Sequence, residues 1–300
     1  MVQSTGRINH VIIVMKNSDW QGKVGDTLRN IIAEPVVGLP QDEPQFTINQ
    51  VPPETFNDLF QRSRNILFVG YDQDAKNNYY TNANIYAEPQ ITLTILAKNE
   101  EELIRNLQEH KEDIIATFKN KDLELYQKKI TKDFQQIKSI ETFNKLGFSF
   151  KIPLSYNKVE DTGDFLWYRN DITKGQLNLI AFEIPISSET DFTKEKILTA
   201  TDTITKNHIP GQFEGTYMMI EPKFTPVTKT LKLSNKPALE NRGLWIVKDD
   251  YMGGPFISYA ILDKENNRIL VIEGFSYSPA TKKRDFVFEL ESIIKTVALQ

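Results

Sequence analysis

Apolar positions along this chain switch between a two-residue and a 3.6-residue period, and the switches outline its elements. Residues 10–15 form a β-branched apolar run that predicts a strand. Asp19 is placed to cap a helix whose Trp20, Val24, Leu28, Ile31 and Ile32 share a face and which ends near Pro35. Gly22 and Gly25 weaken its first turn. Phe46 and Ile48 alternate in a short strand. Pro53 then opens a helical turn with Phe56, Leu59 and Phe60 as its apolar stripe. Residues 66–69 predict an inner strand, whereas residues 72–88, rich in Asn, Asp and Tyr, predict a long loop. Ile91, Leu93 and Ile95 alternate as a strand. Asn99 and Glu102 follow as the N-cap and N3 of a helix burying Leu103, Leu107, Ile114, Ile115 and Phe118. A second phase through Leu123, Tyr126, Ile130, Ile137 and Ile140 predicts another helix after a break near Asn120, ending near Gly147. Acidic residues interleave with the lysines of its outer face, which therefore reads as solvated rather than as a nucleic-acid surface.

The second half is richer in strands. Phe148, Phe150 and Ile152 alternate before Pro153, and residues 165–168 and 177–184 predict the next two strands. Thr193 opens a helix carrying Ile197, Leu198, Thr201 and Ile204, closed by Pro210 and Gly211. Strand patterns follow at residues 216–220, 227–233 and 244–247. Residues 256–262 and 268–275 flank a five-residue polar loop, an antiparallel hairpin signal. Ser278 and Pro279 start a last helix with Leu290, Ile293, Ile294 and Val297 on one face. The expected class is α+β: two α/β modules, 1–145 and 146–300, the second a mainly antiparallel sheet covered by helices. Their boundary is expected at residues 144–148.

Composition narrows the class. Three hundred residues hold one large core or two domains of about 150 residues. The 40% hydrophobic and 25% charged fractions are those of a folded protein, and 18 Phe with 11 Tyr favour sheets. A net charge of -4 argues against a nucleic-acid partner, and no run reaches the roughly 18 apolar residues of a membrane span. The absence of Cys removes disulfides, thiolate metal sites and Cys nucleophiles.

Residues 240–259, ENRGLWIVKDDYMGGPFISY, concentrate a Trp, an Arg, a Glu, two adjacent Asp and a Gly-Gly-Pro sequence between two strand patterns. This is the candidate interaction surface: Arg242, Trp245, Asp249, Asp250 and Tyr251, with Tyr277 as a neighbour. Arg242 offers a charge-assisted donor fork, and Trp245 a stacking area. If Leu244 and Ile246 face the core, alternation turns Trp245 outward or toward a covering helix, with Arg242 on the Leu244 side. Gly253, Gly254 and Pro255 read as a tight turn between Met252 and Phe256. Trp167, Tyr168, Tyr259 and Tyr277 extend the aromatic set, with core packing as its simplest role.

Catalytic signatures are weak. His10, His110 and His208 lie in unrelated elements without ligand spacing, so no metal or other cofactor is expected. Gly22-Lys23-Val24-Gly25-Asp26-Thr27 lacks both phosphate-loop spacings. There is no G-x-S-x-G elbow. Asp249 and Asp250 lie next to one another at the expected end of a strand, with Glu273 in the adjacent hairpin, and solvated loop acids are their simplest reading. A glycosidase needs two carboxyls roughly 5–9 Å apart across a bond, and adjacent strand residues point to opposite faces. No catalytic residue is assigned.

The motifs GRINHVIIV (residues 6–14), RGLW (242–245) and MGGPF (252–256) resemble a Bacteroidota family of predicted lipoproteins built on a domain of unknown function. The resemblance implies a cell-envelope location and a lipidated Cys shortly before the first strand. Met1 and the lack of Cys fit a leader and anchor removed from this chain, or a natural cytosolic start. Membrane association is then expected through that lipid anchor alone. The second half is loosely similar to antiparallel α/β/α modules of photosystem-associated extrinsic proteins and a nuclear-transport cofactor, with residues 148–153 and 268–297 as the opening and closing elements; fold analogy transfers no function. The expected role is a non-enzymatic envelope lipoprotein acting as an interaction or assembly module. The alternative is a hydrolase or binding protein acting on envelope glycans. The partner class is accordingly an envelope protein or glycan.

Overall fold

Runs that are apolar at every position become strands buried on both faces. The clearest, β1 (His10–Val14), lies inside a five-stranded sheet with β2 (Thr47–Val51), β3 (Asn65–Tyr71), β4 (Tyr79–Ala83) and β5 (Ile91–Ala97). The computed structural model describes residues 1–74 and 78–299. Strand order is β2-β1-β3-β5-β4; the first four are parallel, and β4 runs antiparallel at the edge. One face carries Val11, Ile13, Leu67, Leu93 and Ile95 against α1 (Lys23–Ile32), α2 (Glu100–Glu109) and α3 (Lys111–Ile130). The other face presents Ile12, Val14, Val51 and Ile66 to Phe56, Phe60, Phe68 and Tyr86.

Several sequence expectations change here. Residues 72–88 hold β4 and the short strand Ala87–Glu88 in place of a continuous loop, because Tyr79–Ala83 pairs with β5; residues 75–77 of that expected loop lie outside the described residues. The helix expected from Asp19 is two helices, Asn17–Trp20 and α1, separated where Gly22 takes an extended conformation and caps α1. The helix break falls at His110 rather than near Asn120, and α3 continues through 20 residues. Asn99 caps α2 as expected, accepting the Glu102 amide at 3.0 Å.

Chain contacts divide the protein into Met1–Val36 with Glu43–Leu125, and Val37–Asp42 with Tyr126–Gln300. The division falls within α3, ahead of the composition change at residues 144–148. The second unit contains an eight-stranded antiparallel sheet. Its strands are β6 (Asn157–Asp161), β7 (Phe165–Ile172), β8 (Gly175–Pro185), β9 (Met218–Ile220), β10 (Val227–Leu233), β11 (Lys236–Val247), β12 (Gly253–Asp263) and β13 (Arg268–Tyr277). Their order is β9-β11-β12-β13-β8-β7-β6, and β10 also pairs with β11. Helix α4 (Lys194–His208) packs on the face bearing Phe165, Phe182, Trp245, Phe256 and Val271. Helix α5 (Arg284–Ile294) packs against β12, β13 and β8 and starts later than Ser278. The mixed α+β class follows, with its second sheet antiparallel and covered by helices.

The β12–β13 hairpin forms where the polar loop predicts it. Asn267 adopts φ 51, a conformation Asn tolerates, and the buried Asp263 accepts from Asn266, Lys236 and Arg268. Burial alone would push the Asp263 carboxyl up; these donors hold it at about 2. By contrast, Gly253, Gly254 and Pro255 are not a turn. They are the first residues of β12, paired with Ile246, Trp245 and Leu244. A Cβ on Gly254 would stand 2.0 Å from the Ser276 carbonyl oxygen, so the motif permits close strand approach.

Asp122 on α3 is fully buried and ties the start of the first sheet together. It accepts the Asn9 amide at 2.7 Å and Asn65 Nδ2 at 3.1 Å, with Arg64 Nη1 at 3.8 Å. Asp122→Ala strips both donors of this acceptor inside the unit. Chemical denaturation is expected to show a loss of about 2–4 kcal/mol from the first unit; a change below about 0.5 kcal/mol would contradict this role.

Candidate functional site

The segment at residues 240–259 folds as one strand, a turn and half of the next strand, and its special residues part company there. On the α5 face of β11, Arg242 Nε donates to Glu240 Oε1 at 2.7 Å and Nη2 donates to Glu291 Oε2 at 2.7 Å. Tyr259 on β12 donates its hydroxyl to Glu240 Oε2 at 2.6 Å, and Lys295 pairs with Glu291. Burial would raise the Glu291 carboxyl, but Arg242 and Lys295 hold it down at about 2. Burial likewise pushes the Tyr259 hydroxyl well above its ordinary 10, with Glu291 and Glu240 adding to the effect. The guanidinium expected to face a partner is therefore committed to fastening α5 onto the sheet.

Trp245 occupies the opposite face, as alternation requires, but that face is the core under α4. The indole is 3% exposed, donates Nε1–H to the Ser276 carbonyl at 3.2 Å and packs edge-on against Phe275 at 5.2 Å. Leu244 and Ile246, on the other face, are half-buried, and of the two placements alternation left to Trp245 it takes the one beneath a covering helix. Both faces of the sheet are covered, by α4 on the Trp245 side and by α5 on the other, and Phe256, Phe275 and Val247 enclose the indole. Trp245 thus presents no stacking plane to solvent. Tyr277 is half-buried against the same cluster.

A polar row crosses this α4-covered face. Register places Thr228, Asn241, Ser258 and Glu273 side by side on β10, β11, β12 and β13. Thr228 donates to Asn241 Oδ1 at 2.7 Å, and Asn241 Nδ2 lies 3.4 Å from Ser258 Oγ. Glu273 is 1% exposed, and its Oε2 has no hydrogen-bond partner. Desolvation, reinforced by the Asp202 charge on α4, pushes its carboxyl up to about 8. Glu273 therefore does not join Asp249 and Asp250 in an acid cluster: it lies opposite Ser258, about 17 Å along the sheet from the turn at the rise of a strand.

The turn itself is exposed. Val247 N–H donates to the Met252 carbonyl at 2.8 Å, closing residues 247–252, and Asp249 takes φ 60 within it. Asp249 is exposed, Asp250 accepts the Tyr251 amide, and the Tyr251 side chain is fully exposed. A second loop lies alongside, bridged at Pro210 and Tyr217 and joined by the Lys248 amide to the Tyr217 carbonyl at 2.8 Å. It carries Phe213, 61% exposed. Lys206 and Lys248 sit over the Tyr217 ring at 5.0 and 5.5 Å. Sequence reasoning missed Phe213 and Tyr217. The available signal was an aromatic residue between Pro210-Gly211 and Gly215, where the chain has no strand or helix to bury it.

The histidines have separate partners. His10 meets Asn49, His110 meets Asp113 and stacks on Tyr79, and His208 meets Glu160 and stacks on Phe165. Among the described residues, no three His, Cys, Asp or Glu side chains gather as a metal site, and no helix is long and apolar enough to cross a membrane.

Two outcomes follow from this geometry. Arg242→Ala leaves Glu240 and Glu291 facing each other without their shared cation, and denaturant unfolding is expected to show a loss of about 3–5 kcal/mol; an unchanged midpoint would make the network dispensable. The raised Glu273 carboxyl has the opposite linkage to a salt-bridged acid. Between the ordinary 4.5 and about 8 the folded state retains a proton that the unfolded state has lost, so stability declines as pH rises through that window. Glu273→Gln removes this contribution. The stability–pH slope between those values is expected to change by about 1.4 kcal/mol per pH unit, and an identical slope in both proteins would contradict the buried neutral carboxyl.

Comparison with solved structures finds low similarity. Yeast (Saccharomyces cerevisiae) Ran-binding protein Mog1p is 11% identical with a TM-score of 0.35, covering 51% of this chain and 90% of its own. LpqN of Mycobacterium tuberculosis, described as involved in cell envelope biogenesis, is 8% identical with a TM-score of 0.32, covering 51% and 83%. A Bacteroides thetaiotaomicron structure is 14% identical with a TM-score of 0.28, covering 51% and 45%. These similarities assign no activity. A search of curated proteins finds no match. Among family models, residues 4–131 match a domain of unknown function, DUF8532. Residues 134–296, more than half of the chain, match another, and the chain belongs to that family, described as a domain of unknown function (DUF4837).

Proposed function

We propose that the chain is a non-enzymatic interaction module of the cell envelope that grips a partner protein with the two joined loops around Tyr251 and Phe213. The observation that carries this reading is the full exposure of Tyr251 beside a loop exposing Phe213, both on backbone turns closed by hydrogen bonds. Large aromatic side chains held in solvent on ordered loops gain little from folding, while on docking they bury wide surfaces at small rotamer cost. Lys206, Lys248 and Asp249 give the patch a polar surround. The envelope setting rests on the resemblance of GRINHVIIV, RGLW and MGGPF to predicted lipoproteins, with attachment through a lipid anchor.

The test is a photo-crosslinking amino acid at position 249 in cells, with and without Phe213→Ala and Tyr251→Ala. The double substitution is expected to leave stability within about 0.5 kcal/mol and to reduce one specific protein adduct at least about tenfold, the loss of one modest hot spot. An adduct of equal yield would contradict the loop assignment. Binding of the unsubstituted chain to purified peptidoglycan, lost in the double variant, would replace the protein partner with the glycan alternative.

A further inference from the structure

We propose that the first unit carries a binding site for a small neutral aromatic carboxamide. Its ring would lie in the crevice at the carboxyl ends of β1, β3 and β5, and its amide on the strand edge that β3 leaves bare where β1 stops.

Two features of the sheet open this crevice. From β1 the chain passes to β2 on one side and returns to β3 on the other. At such a switch point the connections diverge beyond the carboxyl ends of the strands, where small ligands bind. The central strands also differ in reach. The ladder between β1 and β3 ends at Val14 and Phe68, after which the first chain segment turns into the helix Asn17–Trp20, while β3 runs on to Tyr71. On its other side β3 stays paired with β5 as far as Tyr71 and Ala97. Among the described residues, the last three of β3 therefore have no strand beside them on the β1 side.

The cavity in this notch has a volume of about 260 Å³, the scale of a small ligand. Its side-chain wall is apolar: Val14, Pro53, Phe56, Phe68 and Leu96, with Phe56 edge-on to Phe68 at 5.3 Å. Gly70 is its floor. It has no positive φ, and a Cβ built on it would meet no atom within 4 Å. Neither conformation nor close packing calls for glycine there, although glycine weakens a strand. The missing side chain leaves room beside the aromatic wall.

The polar groups come from the backbone. Val69 and Tyr71 also line the cavity, yet alternation turns their side chains to the opposite face, where Val69 packs with Leu67 under the helices. They reach the cavity through the main chain. The Asp72 amide donates to the Ala97 carbonyl at 3.0 Å on the β5 side. Successive residues of a strand direct their hydrogen bonds to opposite sides, so the Val69 carbonyl and the Tyr71 amide point into the notch. One acceptor and one donor beside apolar walls match a carboxamide, whose own N–H and C=O adjoin. The lining residues include no charged side chain, so a neutral ligand avoids burying an unpaired charge.

The test titrates the full isotope-labelled chain with benzamide, acetophenone and benzoate up to ~10 mM, the range for ligands of about nine heavy atoms. Benzamide is expected to shift the amides of Val14, Gly70 and Leu96 and to move the Tyr71 amide proton downfield, as a new hydrogen bond does. Acetophenone keeps the ring and the carbonyl but leaves the Val69 carbonyl unpaired, and should bind about fivefold more weakly. Benzoate should be weakest, because its charge must be desolvated. Gly70→Val fills the floor with a residue that strands favour, and should weaken benzamide binding at least about tenfold with the remaining amide spectrum preserved. Gly70→Ala should do so less and guards against loss of fold. The proposal would be overturned by an unmoved Tyr71 amide proton, by acetophenone or benzoate binding as tightly as benzamide, or by benzamide binding unchanged in both glycine variants.

Discussion

A guanidinium shared between two carboxylates fixes where the last helix lies on the antiparallel sheet. Taking Arg242, Glu240 and Glu291 out of water costs several kcal/mol per ion, and that cost is offset only while all three remain together. Tyr259 and Lys295 satisfy the outer oxygens, so each member is held from two sides. Apolar packing of Val287, Leu290, Ile293 and Ile294 would let α5 slide along the sheet; the directional charge pairs select one position.

That constraint decides which residues are left for recognition. Once Arg242 holds α5 and Trp245 fills the space beneath α4, the strand portion of the segment has no free functional group of any size. The turn beyond it has several, because residues 248–252 need only close backbone hydrogen bonds. Scaffold and contact surface are thus adjacent along the chain but separate in space. The Glu273 row obeys the same rule: it is enclosed by the sheet and α4, where a carboxyl is kept neutral by desolvation and has no route to an external bond.

How far the sequence was readable depended on whether local pattern or tertiary partners set the outcome. Periodicity placed β1, β3, β5, the Asn99-capped helix and the β12–β13 hairpin, since alternation, capping and turn residues act over a few positions. It missed β4, because Tyr79–Ala83 is largely polar and becomes a strand by pairing with the edge of β5. It placed a helix break near Asn120 because the apolar phase shifts there, whereas α3 runs on through that shift and buries the polar Asp122, pinned to Asn9 and Asn65. It took Gly-Gly-Pro for a turn because Gly254 answers to the distant Ser276 carbonyl. For the candidate site, alternation put Arg242 and Trp245 on opposite faces but could not say that helices cover both, α5 over Arg242 and α4 over Trp245; Asp249 and Tyr251 remained as the exposed members.

The most direct test is a double-mutant cycle on Arg242 and Glu291, with the unfolding free energy measured for the wild-type chain, Arg242→Ala, Glu291→Ala and the pair. If the shared guanidinium positions α5, the two substitutions are strongly coupled, by about 2 kcal/mol or more. Additive effects within about 0.5 kcal/mol would contradict the account, because α5 would then be held by packing alone.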